Sequence, residues 1–249
     1  MKQRIHIFDT IRGFTLLNMI AYHAIYNIVY IFNHPVNWYE GFWGDMWQSA
    51  ICFTFILISG MCSHFSKHPF RRGLIIFGCG IGISLITYLV IPQELIVFGI
   101  LSFMGLAMII TGLLRPLLKR IPSALGLILS LLIFYVTYHV PDGFISFGAH
   151  ETLLPGFLCQ NNYFMFLGFH TDSFSSSDYF PLIPWLFLYL AGFYLYKLGS
   201  KYNFGNSIKA FKIPFLSFVG KNTLPIYLLH QPVILGALYL IHAFFRAVI

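Results

Sequence analysis

Three ionisable side chains in the first apolar stretch of the chain are evenly spaced. Arg12, His23 and His34 follow one another at intervals of eleven residues. In an α-helix eleven residues make three turns and about 20° more, so these side chains are predicted to share one face. The rise over each interval is about 16 Å, which places Arg12 at the inner membrane boundary, His23 near the midplane and His34 at the outer rim. Because ionisable groups are costly inside a membrane, such a stripe indicates a functional site.

The two imidazoles on this stripe are candidate catalytic groups. At neutral pH an imidazole can accept a proton from a hydroxyl or an amine, or can act as a nucleophile. Asp45, which follows on the outer side, is a third candidate because it could orient His34 or stabilise its protonated form. Simpler interpretations stay open. Asp9 and Arg12 could form an exposed pair in the first helical turn. His23 could be a packed residue bonded to a carbonyl group, and His34 could be an interfacial residue.

The composition indicates that these residues lie in a membrane. Of the 249 residues, 58% are hydrophobic and only 9% are charged, and the mean hydropathy is +0.76. A soluble protein carries about 25% charged residues, so this chain could not cover a water-facing surface with polar groups. A cytosolic enzyme, a nucleic-acid-binding protein and a disulfide-stapled secreted module are therefore excluded. The expected partner is the lipid bilayer, and the formal charge of +7 does not indicate a nucleic acid.

Seven apolar stretches have the length needed to cross a bilayer. Spans of roughly 18 to 25 residues match a hydrocarbon core of about 30 Å. The sequence therefore predicts an all-α membrane protein in which one domain, residues 1–249, forms a single bundle of about seven transmembrane helices. The predicted spans cover residues 11–33, 46–65, 73–91, 94–114, 122–140, 181–198 and 223–246.

The charged residues predict the orientation of this bundle. Short cytoplasmic loops collect lysine and arginine. With the N-terminus inside and the C-terminus outside, all but one of the 15 basic residues lie on inner segments, and all but one of the 8 acidic residues lie on outer segments. Residues 141–180 then form a long outer segment between helices 5 and 6. Because Pro155 and the polar run 160–162 interrupt its apolar part, residues 152–169 are predicted to be an outer lid or a re-entrant segment.

Glycine and cysteine patterns are interpreted as structural. Gly78 and Gly82, four residues apart in GCGIG, predict close packing of helix 3 through these two positions and not a phosphate-binding loop. The four cysteines form no CxxC pair and have no metal-ligand spacing, so they are interpreted as packed free thiols. No metal site is expected.

Five segments spread along nearly the whole chain carry a further signal. They are RIHIFDTIRGFTLLNMIAYHAIYN, FRRGLIIFG, IVFGILSFMGLAMII, DYFPLIPWLFLYLAGFYL and FLSFVGKNTLPIYLLHQPV. In this order they resemble the bacterial branch of the heparan-alpha-glucosaminide N-acetyltransferase catalytic-domain family. The resemblance implies a membrane acyltransferase that moves an acetyl or other short acyl group from cytoplasmic acyl-CoA to a sugar or another envelope acceptor outside. It also implies acetyl-CoA as the acyl donor and a multi-pass location in the bacterial cytoplasmic membrane.

The resemblance leaves open which histidine performs the chemistry. Arg12, ten intervening residues and His23 are similar to the first-helix motif of the related acyltransferase-3 family, in which the histidine is held essential. In the eukaryotic relatives the catalytic histidine matches His34, and asparagine matches His23. The acyl transfer could proceed by general-base catalysis or through an acylated histidine.

The resemblance also implies a path for the acyl donor, with the pantetheine arm lying between helices. The nucleotide phosphates are then expected at four basic residues: Arg12, Arg71, Arg72 and Lys221. His230, about 13 Å of helical rise above Lys221, is predicted to line the same groove. The alternative for His230 is a packed histidine before a proline kink.

Two other membrane functions compete with acyl transfer. A transporter, or a proton- or solute-conducting protein, is the alternative, because a buried row of histidines can also relay protons. The inverted repeats common in transporters are not evident in the sequence. A seven-helix photoreceptor is excluded, since residues 223–245 contain no lysine for a retinal Schiff base. The oligomeric state, including a homo-oligomer, stays open.

Overall fold

A computed structural model describes residues 5–202 and 211–248, with side chains described up to Phe244. The chain is almost entirely helical. In order, its elements are α1 (His6–Tyr26), a π-helical turn (Asn27–Ile31), α2 (Phe42–Cys62), α3 (Pro69–Val90), α4 (Ile100–Leu113), α5 (Arg115–Arg120), α6 (Ser123–Val136), β1 (Phe144–Phe147), β2 (His150–Leu153), α7 (Leu182–Lys201), α8 (Pro214–Lys221) and α9 (Thr223–Val248).

Six of the helical segments are long and apolar enough to cross a membrane. They comprise residues 6–31, 42–65, 69–90, 123–142, 182–201 and 223–244, and each corresponds to one of the predicted spans. The protein is therefore a multi-pass integral membrane protein. The predicted span over residues 94–114 forms α4, which has only 14 residues and a length of about 21 Å. Lys2, Arg4 and Lys209, which contribute to the predicted orientation, lie outside the described residues.

The first of two compact units comprises residues 1–55 and 203–249, and contains α1, α8 and α9. Its core is a cluster of four buried apolar side chains, namely Leu16, Met19, Ile51 and Val219. The backbones of α1 and α8 approach closely at two glycines. A Cβ atom on Gly13 would overlap the carbonyl oxygen of Leu216, and a Cβ atom on Gly220 would overlap that of Asp9. Only glycine therefore permits this pairing.

The second unit comprises residues 56–202 and is built mainly on two helix pairs, α3 with α4 and α6 with α7. The predicted packing of α3 through Gly78 and Gly82 is wrong, because no atom lies within 4 Å of a Cβ built at either position. Instead, a Cβ at Gly80 would clash with Ser102, and a Cβ at Gly73 would lie 2.7 Å from the carbonyl oxygen of Gly105. The face of α3 that packs is therefore rotated away from the predicted one.

Residues 143–181 contain no α-helix, and all of them are described. The segment instead holds a two-stranded antiparallel hairpin in which Phe147 pairs with His150, so that Gly148 and Ala149 form the turn. Gly148 has φ of 61°, a left-handed conformation suited to glycine in a tight turn. The prediction that residues 152–169 do not form a helical span is consistent with this structure. Its description as an outer lid or re-entrant segment stays a prediction.

The end of this segment is fastened to the start of α4. The amide of Ile100 donates a hydrogen bond of 3.0 Å to the Asp178 carboxylate, and Ser176 exchanges hydrogen bonds with the backbone of Val97. Burial raises the pKa of Asp178 to about 6, although the bond from Ile100 acts in the opposite direction. Asp178 thereby satisfies an amide at the helix N-terminus that has no partner within α4.

Candidate active site

One end of the candidate site is the contact between α1 and α8. Because Gly13 and Gly220 bring the two backbones together, the Arg12 guanidinium reaches the carbonyl oxygen of Gly220 at 3.4 Å. Arg12 also pairs with Asp9 at 3.6 Å, and the side chains of Arg12 and Asp9 are only 19% and 7% exposed. The expected alternative of an exposed pair is therefore wrong in one respect, since the pair forms but is largely buried.

Lys221 lies beside this contact, because it directly follows Gly220 and is the last residue of α8. Its side chain is exposed. Arg12 and Lys221 therefore occupy the same end of the first unit. Arg71 and Arg72 lie in the first turn of α3, in the second unit, and are exposed. Their expected part in phosphate binding stays a prediction.

About 16 Å further along α1, the ring of His23 lies next to that of His230 on α9. The ring centroids are 5.0 Å apart and the planes are inclined at 54°. Further along both segments, the ring of Phe32 contacts the rings of Tyr239 and His242 at 5.1 and 5.6 Å. Contacts therefore advance in the same direction along α1 and α9, so the two helices run parallel. Two of the residues predicted to line one groove are thus brought together by the fold.

Two side-chain amides, Asn27 after α1 and Gln231 on α9, form a hydrogen-bonded row that ends at His23. Asn27, which is 1% exposed at the start of the π-helical turn, donates from Nδ2 to Oε1 of Gln231 at 3.0 Å. Nε2 of Gln231 is in turn hydrogen-bonded to Nδ1 of His23 at 3.2 Å. Since an amide nitrogen only donates, Nδ1 of His23 is the acceptor, and the neutral ring carries its proton on Nε2.

His230 has the opposite arrangement. Its Nδ1 is bonded to the carbonyl oxygen of Tyr227, which only accepts, so Nδ1 carries the proton. The lone pair is then on Nε2, which is buried and has no hydrogen-bond partner among the described residues. The site thus offers one imidazole N–H, on His23, and one buried imidazole lone pair, on His230. A proton acceptor and a hydrogen-bond donor lie side by side.

An aromatic cluster adjoins His23 through Tyr22, whose ring centroid lies 5.9 Å from that of His23. Tyr22 makes ring contacts with Tyr39 at 4.9 Å and with Trp47 at 5.4 Å. Tyr39 is 3% exposed and donates a 3.3 Å hydrogen bond to the carbonyl oxygen of Tyr22. Burial raises the pKa of Tyr39 far above its ordinary value, so its phenol stays protonated and does not act as a base at neutral pH.

His34 does not continue the stripe of α1, so that expectation is wrong. The helix changes to a π-helical turn at Asn27 and ends at Ile31, and Asn33 has φ of 54°. The spacing of 100° per residue therefore does not extend to His34. His34 and Asp45 are both exposed, and no hydrogen bond or ion pair joins their side chains. Their catalytic roles stay predictions.

Asn27 and Gln231 were missed by the sequence analysis. Both are uncharged, and an amide inside a span gives a weaker signal than an ionisable group. Their pairing depends on contact between α1 and α9, which are about 200 residues apart in the chain. The position of Gln231, directly after His230 in a span, is the one local feature that could have indicated it.

The sequence profile of the family described as heparan-alpha-glucosaminide N-acetyltransferase, catalytic, matches residues 4–232. The chain belongs to this family. The matched region includes all four residues of the polar cluster: His23, Asn27, His230 and Gln231.

Membership of the heparan-alpha-glucosaminide N-acetyltransferase family indicates a membrane acetyltransferase, and that family in general uses acetyl-CoA as its donor. The alternative of a transporter has no comparable support. No curated protein and no solved structure gives a significant match to the chain.

Proposed function

We propose that this protein transfers an acetyl group from cytoplasmic acetyl-CoA to an amine or hydroxyl of a sugar or another envelope acceptor on the outer side. The observation that carries the proposal is the His23–His230 pair, held by Gln231 and Asn27 inside a family member whose helices cross a membrane. An acceptor must lose a proton when it attacks a thioester, and this cluster contains a buried imidazole lone pair.

The two histidines have different roles in this proposal. Nε2 of His230 accepts the proton of the acceptor as the new bond to the acetyl carbon forms. His23 donates its Nε2–H to the oxygen that becomes negative in the tetrahedral intermediate. When the bond from carbon to sulfur breaks, His230 returns the proton to the departing CoA sulfur. Proton and electron pairs balance without a further reactant.

Arg12 and Lys221 hold the nucleotide end of acetyl-CoA. Both lie at the inner end of the first unit, and the helical rise from Arg12 to His23 is about 16 Å. An extended pantetheine arm therefore lies along α1 and α9, with the thioester at the level of the two histidines. Lys221 supplies the more available charge, since the Arg12 guanidinium already contacts Asp9 and Gly220.

The experiment is transfer of radiolabelled acetyl from acetyl-CoA to glucosamine by the purified protein in detergent. His23→Gln and His230→Gln are each expected to lower kcat at least 100-fold, because one removes the donor and the other the base. CoA binding is expected to persist in both variants.

His242→Gln is the matched control, because it makes the same substitution on α9, twelve residues beyond His230. It is expected to retain activity. His34→Gln tests the competing assignment and is also expected to retain activity. Full activity of His23→Gln and His230→Gln, together with loss in His34→Gln, would overturn the proposed site.

A further inference from the structure

A small cavity in the second unit lies where α4 ends, α5 begins and α3 starts. It is lined by Ser66, Pro69, Thr111, Arg115 and Tyr189, among others. The volume open to the centre of a water-sized particle is about 10 Å³, so the cavity holds one such particle. The cavity is therefore too small for a phosphate group or any part of a cofactor.

Three polar atoms around this cavity are buried without a hydrogen-bond partner in the described part of the chain. They are Oγ of Ser66, Oγ1 of Thr111 and Nε of Arg115. Ser66 and Thr111 are only 5% and 2% exposed. Buried polar groups in proteins are nearly always paired, so three unpaired groups around one cavity indicate a bound particle.

The charge of Arg115 indicates what this particle is. The two terminal nitrogens of Arg115 donate to the carbonyl oxygens of Ser66 and His64, at 3.3 and 2.9 Å. Its Nε–H is the donor without a partner among the described residues. All eight acidic residues of the chain lie among the described residues, and none forms an ion pair with Arg115. A partly buried guanidinium without a carboxylate favours a negative partner.

The other groups at the cavity also favour a negative charge. The hydroxyls of Ser66 and Thr111 can both donate, and Nε of Arg115 can only donate. Pro69 stands at the N-terminus of α3, a helix of 22 residues, whose dipole places partial positive charge at that end. The structure assigns this cavity as a binding site for a monoatomic anion, with chloride as the candidate. This site is separate from the acyl-transfer chemistry proposed above.

The test compares the melting temperature of the full-length protein in sodium chloride and in sodium gluconate at equal ionic strength. Chloride is expected to raise the melting temperature in a saturable manner, whereas gluconate is too large to enter. Thr111→Val keeps the shape of the side chain and removes one donor, so it is expected to weaken the apparent chloride affinity about tenfold. Ser66→Ala is the second variant, for use if Thr111→Val does not fold.

Thr137→Val is the matched control, since that hydroxyl donates to the carbonyl oxygen of Ile133 away from the cavity. It is expected to keep the full response to chloride. Crystals soaked in bromide are expected to show anomalous scattering at the cavity. Equal melting temperatures of the wild type in the two salts, or a water molecule that bromide does not replace, would overturn the assignment.

Discussion

At the scale of single residues, His23 and His230 carry their protons on different ring nitrogens. The difference follows from their partners, an amide N–H for Nδ1 of His23 and a carbonyl oxygen for Nδ1 of His230. A donor and a base can therefore coexist in one site without either histidine being charged. The amide of Gln231 is a positioning group, because it acts on the reaction only through His23.

This assignment predicts the nitrogen-15 spectrum of histidine-labelled protein in lipid. His23 is expected as the Nε2–H tautomer and His230 as the Nδ1–H tautomer, with each signal assigned by its loss in the corresponding glutamine variant. In Gln231→Leu, the His23 signal is expected to change while that of His230 stays, and kcat is expected to fall about tenfold or more. Gln48→Leu, at an exposed position of α2, is expected to alter neither. The same tautomer for both histidines in the wild type would contradict the proposed roles.

At the scale of secondary-structure elements, one backbone contact positions much of the site. Gly13 and Gly220 allow α8 to lie against α1, and α9 follows directly after α8. His230 thereby reaches the level of His23. The contact depends on the absence of side chains at two positions, and not on a strong attraction between particular groups.

Gly220→Ala is therefore expected to destabilise the protein by about 1–3 kcal/mol or more, because its Cβ would overlap a backbone oxygen that cannot move aside. Thermal unfolding in detergent measures the change. Gly78→Ala is the matched control, since nothing lies within 4 Å of its added Cβ. Removal of a helical glycine there is expected to stabilise by about 0.5–1 kcal/mol. A similar effect of both substitutions would show that the α1–α8 contact is looser than described.

The link between Asp178 and α4 predicts a dependence of stability on pH. The pKa of Asp178 is about 6 in the folded protein and 3.8 in the unfolded chain, so the folded state binds the proton more tightly. Protonation of Asp178 therefore adds at most about 3 kcal/mol to the free energy of unfolding. This contribution is complete below about pH 4 and is lost as the pH rises through about 6. Melting temperatures measured from pH 4.5 to 8 are expected to fall and then level off.

Asp178→Asn keeps an acceptor for the Ile100 amide and cannot ionise, so its melting temperature is expected to vary much less over this range. Asp172→Asn, at an exposed position of the same segment, serves as the control and is expected to follow the wild type. An unchanged pH response in Asp178→Asn would assign the response to another group.

At the scale of the whole molecule, the parallel direction of α1 and α9 constrains how often the chain crosses the membrane. A chain that leaves α1 on one side of the membrane and enters α9 from the other side must cross an odd number of times in between. The long helices α2, α3, α6 and α7 supply an even number. We therefore expect that α4, despite its 14 residues, completes a fifth crossing together with the extended residues before it.

Cysteine labelling tests this expectation without assuming the orientation. Lys67→Cys precedes α3 and Lys119→Cys follows α4, in a full-length protein from which the four native cysteines have been removed. If α4 crosses, a membrane-impermeant maleimide applied to intact cells reaches both positions or neither. With the N-terminus inside, neither is labelled and Ala149→Cys in the hairpin turn is labelled. Labelling of only one of Lys67→Cys and Lys119→Cys would show that α4 does not cross.

The sequence alone was sufficient for those features that depend on local composition. Length and apolarity of each stretch predicted the six long helices, since the bilayer sets both requirements over about 20 consecutive residues. The cost of an ionisable group in lipid selected Arg12 and His23 as candidates, and their roles stay predictions. The five family-like segments predicted the family that the profile match then confirmed.

Two other predictions failed because they relied on residue spacing in a regular helix. His34 was placed on the stripe of α1 by a constant turn angle, whereas the π-helical turn and the end of α1 at Ile31 interrupt it. Gly78 and Gly82 were selected by their spacing, whereas the partners of α3 decide which glycines pack. Nor did the sequence indicate that Arg115, one of the basic residues on the predicted inner segments, donates to two carbonyl oxygens beside a cavity.

The sequence by itself determined that this is a membrane protein and which stretches are long and apolar enough to cross, because each stretch meets the requirements of the bilayer independently. Only the tertiary structure decided that Asn27, Gln231 and His230 join His23, and that Arg115 adjoins three unpaired polar atoms. Those groups meet through contacts between helices that are distant in the chain. Such contacts depend on backbone approach and side-chain fit on both partners, and no single segment of the sequence records them.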